Sequence, residues 1–382
     1  MMRWEVKKLG EVCTLQRGFD LPKNLREKGD YPLISSSGEI DTHCEPKVKS
    51  PGIVTGRSGS IGSLFFVEKD FWPLNTTLFV KDFHGNDPRF IFYLLKHFDL
   101  GRFASGTGVP TLNRNHVHDE KINITTSLEE QKRIVEILDK AFEGIAQAED
   151  NTRRNLTNAR ELFDSYLNNI FTDENSNCIQ AKLGSVCSFL NGFAFKSQDA
   201  VQESDVQLVR MGNLYRNILD LARKPVFYPN DFREKYSNYL LLKGDLIMSL
   251  TGTVDKHDYG YTVEIPDHKN HLLLNQRIAK IINISSKLDK SFFLYILRSR
   301  LFLTSLYKLS KGVRQANLST TEMKNLFISF PTLEKQTEIV SRLQMIDAET
   351  KKLETIYQRK LEAIAELKQS ILEKAFTGQL SQ

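Results

Sequence analysis

Cysteine is scarce in this chain: four in 382 residues, Cys13, Cys44, Cys178 and Cys187, with no C-x-x-C pair. That pattern signals neither a zinc site nor a disulfide framework. Long apolar runs are lacking too, and none approaches the ~18 residues that would suggest a membrane span. The N-terminus, Met1-Met2-Arg3-Trp4-Glu5-Val6-Lys7-Lys8, carries charges where a signal peptide has an apolar stretch. There is no low-complexity tract. With 40% hydrophobic and 26% charged residues, the composition fits an ordinary soluble protein, and the cytoplasm is the expected location. At this length a single core is not expected, and two or more domains are.

Catalytic signatures are missing as well. There is no Asn/Asp-Pro-Pro-Tyr/Phe for amino-group methylation, no Walker lysine and no nuclease-type Asp…Glu-x-Lys cluster. Gly56-Arg57-Ser58-Gly59-Ser60-Ile61-Gly62 is glycine-rich but lacks the Lys-Ser/Thr of a phosphate loop, so it reads as a tight turn between strands. Its backbone could approach a phosphate with Arg57 alongside. His116-Val117-His118 would share a face on a strand, but no third ligand is evident, and the pair reads as solvent-facing. Glu129-Glu130 stand at a helix start, where they favour the dipole. The expectation is binding without catalysis, and no metal.

What is present is a repeat. Lys8-Leu9-Gly10-Glu11-Val12-Cys13 returns as Lys182-Leu183-Gly184-Ser185-Val186-Cys187, and Gly18-Phe19 as Gly192-Phe193, both at an offset of 174. Leu33-Ile34 matches Leu208-Val209 at 175, Thr55-Gly56 matches Thr251-Gly252 at 196, and Leu74-Asn75 matches Leu274-Asn275 at 200. Gly108-Val109 matches Gly312-Val313 at 204, and residues 128–172 align without a gap to 333–377 at 205. Any one dipeptide is noise, but a collinear series ending in a long ungapped block is not. The offset jumps by about 21 residues between Leu208 and Thr251, so the second copy holds an extra stretch, roughly 213–245, with Arg216, Arg223, Lys224, Arg233, Lys235 and Lys243.

The repeat sets the domain boundaries expected from sequence: a first domain over 1–126, a long helix over 127–173, a second domain over 174–330 and a C-terminal long helix over 331–382. Charge follows these blocks. Residues 1–125 hold 17 basic against 15 acidic residues, and 126–173 hold 6 against 10. Residues 174–330 hold 21 against 14, and 331–382 hold 8 of each. A polyanion partner for the two globular blocks follows, since phosphate contacts dominate nucleic-acid affinity.

In 128–171 apolar residues recur in steps of three and four (Leu128, Ile134, Leu138, Phe142, Ile145, then Leu156, Ala159, Leu162, Tyr166, Ile170), one face of a helix. Ile339, Leu343, Ile346, Leu353, Tyr357, Ile364, Leu367 and Ile371 repeat that spacing, and Gly378 stands where a helix C′ residue belongs. About 44 helical residues extend roughly 66 Å, longer than a domain of this size is wide. Each apolar stripe therefore needs a partner, and the economical one is the other copy. The globular blocks read as mixed α/β, with helices expected at Pro88–Phe103, where Pro88 is N1 after Asp87, and at Asp289–Leu309.

At this point the chain resembles the specificity subunits of type I restriction–modification enzymes. The residues that carry the resemblance are Leu128-Glu129-Glu130-Gln131-Lys132-Arg133-Ile134-Val135 and Leu333-Glu334-Lys335-Gln336-Thr337-Glu338-Ile339-Val340. Lys243-Gly244-Asp245-Leu246-Ile247-Met248-Ser249-Leu250-Thr251-Gly252 and Asn275-Gln276-Arg277-Ile278-Ala279-Lys280-Ile281 add to them. The resemblance implies an α/β (α+β) fold: two target recognition domains separated by two long helices that form an antiparallel coiled coil, in a pseudo-twofold internal repeat. It implies a non-catalytic subunit of the bacterial or archaeal cytoplasm that binds double-stranded DNA at an asymmetric bipartite site, the helices acting as a ruler between its halves. The implied partners are two methylation subunits and the restriction (translocase/nuclease) subunits. S-adenosylmethionine, ATP and Mg2+ are expected in those partners and no cofactor in this chain. The alternative is a coiled-coil scaffold with two binding domains not specific for DNA.

Side chains that match groove edges and phosphates are Arg, Lys, Asn, Gln, Ser and Thr. The candidates in the first domain are Arg17, Arg57, Ser58, Ser60 and Arg114. In the second they are Lys196, Arg210, Asn213, Arg216, Lys256, Lys311, Arg314 and Gln315.

Overall fold

The computed structural model describes residues 4–105, 110–172, 178–310 and 315–381. The chain divides into two compact units, Met1–Asn155 with Tyr357–Gln382, and Leu156–Ile356. The division cuts through both long helices, Leu128–Thr172 and Leu333–Phe376, so each unit contains a half of either one.

In the first unit an antiparallel sheet runs in the order Thr14–Arg17, Thr77–Asp82, Gly52–Gly56, Leu64–Val67. A second sheet pairs Tyr31–Ser35 antiparallel with Gly38–His43 and parallel with Trp72–Pro73. Trp4–Lys8 and Lys121–Thr125 form a separate ribbon. Helix Pro88–Phe98 starts where its sequence says it should: Asp87 caps it, its carboxylate accepting from the Phe90 N–H at 2.9 Å, and Pro88 fills N1. The helix buries Phe90, Ile91, Leu94 and Leu95 against Leu15, Ile53, Leu78 and Val80 of the sheet. The same core takes Ile134 and Leu138 from the central helix and Leu372, Ala375 and Phe376 from the C-terminal one.

The second unit repeats the plan. Ser188–Asn191, Ile278–Ile282, Leu246–Ser249 and Thr262–Glu264 form a sheet in the corresponding order. Val206–Val209 again pairs parallel with the strand after it in space, His271–Leu274. Asp289 caps helix Lys290–Arg298 through the Phe292 N–H at 2.8 Å. Leu167 of the central helix joins Val340 and Leu343 of the C-terminal helix in this unit's core.

Within each unit the two helical halves run antiparallel. In the first, Glu149 pairs with Lys368 while Ile134 and Leu138 share a core with Leu372 and Phe376. In the second, Arg160 meets Glu354 at 3.2 Å while Leu167 shares a core with Leu343. Pairing with the other copy and packing on a globular body both occur, because each helix is long enough to do one after the other.

The globular helices are shorter than expected. Pro88–Phe98 ends at Asp99, whose φ of +50° leaves the helical region and whose carboxylate accepts from Gly101 N–H, starting the 3-10 turn Leu100–Phe103. The run expected at Asp289–Leu309 is two helices, because Ser299 is extended and caps the second, Arg300–Tyr307. His116-Val117-His118 belongs to a short helix, Arg114–His118, not to a strand, and it is not a solvent-facing pair. His118 turns inward and its Nε2 accepts the Leu15 N–H at 2.9 Å.

Burial, helped by Arg114, holds His118 below the ordinary imidazole range, and burial does the same for His97. The unfolded chain binds these protons first, so the stabilisation is complete above the unfolded pKa of about 6.5 and is lost as pH falls through the folded values. Melting temperature should therefore fall between pH 7.5 and 5.5, and less steeply in His118→Gln, which keeps an acceptor for Leu15. An equal slope in the variant would exclude His118 as a source.

Candidate nucleic-acid interface

In the first unit the loop after strand Gly52–Gly56 gathers three of the sequence candidates. The Arg57 and Ser58 N–H groups both donate to the Thr76 carbonyl, at 2.9 and 3.2 Å, and the Arg57 carbonyl accepts from Leu112 N–H at 2.8 Å. A Cβ on Gly56 would stand 2.0 Å from the Ser60 carbonyl oxygen, so only glycine closes this loop. The same Cβ would lie 3.2 Å from Ser36, which brings the Ser35-Ser36-Ser37 turn beside Arg57, Ser58 and Ser60. The Arg57 Nε is buried and has no acceptor among the described residues. Arg17 is exposed at the edge of the sheet, 3.9 Å from Asp20, whose carboxylate also accepts from the Asn75 amide. Arg114 is exposed and opens the short helix after Thr111–Leu112, the ribbon that bridges Ser58. This face sets serine hydroxyls beside Arg57.

The second unit places cations where the first has hydroxyls. At the repeat offsets, Arg210 stands for Ser35 and Arg277 for Thr77. Together with Arg223 and Lys224 they line an open cleft of about 620 Å³ whose lining includes Phe195, Asn213, Tyr228 and Gln276 but no carboxylate. Arg210 donates to the Lys224 carbonyl, which holds two sides of the cleft together. Burial, with Asp199 nearby, pushes the Tyr228 hydroxyl above its usual range, so it stays a neutral donor, given to the Lys196 carbonyl at 3.2 Å.

Asn213, a sequence candidate, is buried. Its amide donates to the Asp220 and Arg223 carbonyls at 2.7 and 3.1 Å and its oxygen accepts from Arg210 N–H at 2.9 Å. Its side chain is thus taken up in shaping the turn. Lys196 is exposed at the cleft's edge, and Arg216 is exposed at the tip of a hairpin beyond it. Lys256 and Gln315 sit apart from the cleft, next to and on the ribbon Thr251–Thr253/Gln315–Asn317. Lys311 and Arg314 lie outside the described residues.

Arg223, Lys224, Gln276 and Arg277 were not among the candidates. The first two are among the cations named in the extra stretch but not among its DNA-contact candidates, and Asn275-Gln276-Arg277 reads in sequence as scaffold because it recurs in part. The replacement of Thr77 by Arg277 at one repeat position was the available signal.

Among the described residues no three His, Cys, Asp or Glu side chains gather as a metal site. Burial pushes the thiols of Cys13 and Cys187 up to about 12, which leaves them unreactive. Among the described residues no helix is long and apolar enough to cross a membrane.

Fold and faces together define a duplicated α/β binding protein in which two copies of one scaffold present chemically unlike surfaces. The family description "Type I restriction modification DNA specificity domain" matches residues 1–157 and 176–363, and the chain belongs to that family. It is 26% identical, over 99% of its length and 93% of the relative's, to the specificity subunit of the type I restriction enzyme MjaVIII of Methanocaldococcus jannaschii. It is 31% identical to the EcoAI specificity subunit of Escherichia coli over 46% of this chain and 29% of that one. Among solved structures, a chain from work on complex assembly and conformational transition of the type I R-M system superposes with a TM-score of 0.74 at 18% identity, covering 98% of both chains. The HsdS subunit from Thermoanaerobacter tengcongensis gives 0.54 at 19%, covering 98% of this chain and 97% of that one.

Proposed function

We propose that this chain reads double-stranded DNA for a type I restriction–modification enzyme and directs partner subunits to an asymmetric, bipartite target. The observation that carries this is the unequal chemistry of equivalent positions: half-buried Ser35 and fully buried Thr77, its hydroxyl given to the Leu74 carbonyl, in one unit, Arg210 and the exposed Arg277 in the other. Equal readers on a repeated scaffold would match a palindrome; these do not. The half-buried Arg57 and the hydroxyls of Ser58 and Ser60 supply donors in the first unit, and the four cleft cations supply phosphate contacts in the second. Methyl transfer, with S-adenosylmethionine, and ATP- and Mg2+-dependent cleavage belong to the methylation and restriction subunits.

The test is reconstitution. The chain alone, given S-adenosylmethionine and duplex DNA, should transfer no methyl group. With its methylation subunits it should methylate adenines within a split motif whose halves differ. Methylation by the isolated chain, or a palindromic motif from the complex, would overturn the proposal. Binding should weaken with added salt, log K falling linearly with log salt.

A further inference from the structure

We propose that the hairpin Leu214–Leu219 is the base-reading element of the second unit, its exposed side of Tyr215, Arg216 and Ile218 entering a DNA groove while the adjacent cleft receives the sugar-phosphate backbone. This rests on the DNA-reading function proposed above. The hairpin lies in the extra stretch that the first repeat lacks, so it is free to differ where the scaffold is not. Its strands, Leu214–Tyr215 and Ile218–Leu219, are joined by a two-residue turn in which Arg216 and Asn217 both have positive φ, +53° and +60°. That is the turn whose twist matches a hairpin's own.

An isolated pair of two-residue strands has little stability by itself, yet this one is tied down at both ends. Leu214 is buried in the core with Val209 and Ile247. At the tip, Asn217 Oδ1 accepts the Thr262 N–H at 2.9 Å, and its carbonyl accepts from the partly buried guanidinium of Arg298 at 3.4 Å. The element is held rigid before anything binds.

What it displays is a mixture that costs free energy in water. Tyr215 is 48% and Ile218 67% exposed. Arg216 and Arg223 stand 5.4 and 5.7 Å over the Tyr215 ring. Arg223 also lines the cleft, so hairpin and cleft are one surface. The apolar part is too small for a stable protein interface, and the cleft offers no acid to a cationic partner. Duplex DNA suits both parts: its major groove admits a two-stranded ribbon, thymine methyl groups accept apolar contact, guanine edges accept arginine, and phosphates fill a cationic cleft.

The assembled methyltransferase tests this by methylome sequencing and by binding to matched and mismatched duplexes. Arg216→Asn keeps a residue that tolerates positive φ and removes the guanidinium; Ile218→Ser and Tyr215→Ala remove the apolar contacts. Each should relax the motif in one half-site only, with discrimination there falling ~10–100-fold. Arg223→Gln should weaken all sequences alike and reduce the salt slope by about one ion. Hairpin variants that keep the wild-type motif and discrimination, with unchanged melting temperature, would overturn the proposal. So would a uniform loss of affinity in Arg216→Asn, which would place the hairpin on the backbone. If the wild-type complex methylates no defined motif, the underlying function fails, and the hairpin proposal with it.

Discussion

Gly192→Ala is expected to destabilise the second unit by about 3–5 kcal/mol, in the range reserved for a backbone clash with no escape. A Cβ at this position would stand 2.2 Å from the Asn275 carbonyl oxygen and 2.4 Å from its carbon. Neither can rotate away, because Phe193 and Asn275 form a parallel bridge directly beside them. Forcing the strands apart also moves Gln276 and Arg277 at the cleft, so DNA affinity should fall along with stability. Gly18→Ala meets the Leu74 carbonyl oxygen at 2.2 Å and should behave alike in the first unit. Gly144→Ala is the control: nothing lies within 4 Å, and the exposed mid-helix position should gain about 0.5–1 kcal/mol. Urea unfolding checks all three, and a Gly192→Ala protein as stable as wild type would exclude the close approach.

Gln336→Leu should cost about 3 kcal/mol although leucine has nearly the same volume. The Gln336 side chain is fully buried, its Oε1 accepting the Asp289 N–H at 2.8 Å and its Nε2 donating to the Lys287 and Pro331 carbonyls at 2.9 and 2.8 Å. Leucine leaves those backbone groups buried and unpaired, at ~1–3 kcal/mol each after relaxation. Gln131 makes the matching set, to Asp87 N–H at 2.8 Å, the Thr125 carbonyl at 2.9 Å and Asn86 at 2.7 Å. Each glutamine ties the first turn of a long helix to the N-cap aspartate of its unit's own helix. Gln131→Leu should therefore unfold at a similarly lowered denaturant midpoint. A loss under 1 kcal/mol in both variants would mean the clamp is dispensable.

These two repeats within the repeat explain why some of the sequence was easy to read. Gly18/Gly192 and Gln131/Gln336 recur because a glycine at a backbone crossing and an amide bridging three polar groups, all backbone for Gln336 and two backbone plus the Asn86 side chain for Gln131, have no substitutes. The long helices were legible from period alone: steps of three and four over more than forty residues admit one conformation. The helix starts at Asp87 and Asp289 were legible because capping is local. The breaks at Asp99 and Ser299 were not, since a left-handed aspartate and an extended serine depend on what packs around them. His118 was misplaced for the same reason. Whether a short His-Val-His run is strand or helix is decided by the core under Val117, not by the three residues.

The candidate faces divide along the same line. Arg57, Ser58 and Ser60 fall within four consecutive positions, so their clustering in one loop was visible, and Arg210 was visible at a repeat position. Asn213 has the right chemistry for a base edge, but tertiary structure turns its amide inward to three backbone groups. Arg223 and Arg277 are 54 positions apart and meet only because Val206–Val209 and His271–Leu274 are neighbours in one sheet. The sequence by itself determined the duplication, the two long helices and the family, because these rest on order, period and offset along the chain. Only the tertiary structure decided which side chains share a face, because that depends on strand pairing between segments whose separation along the chain carries no record of it.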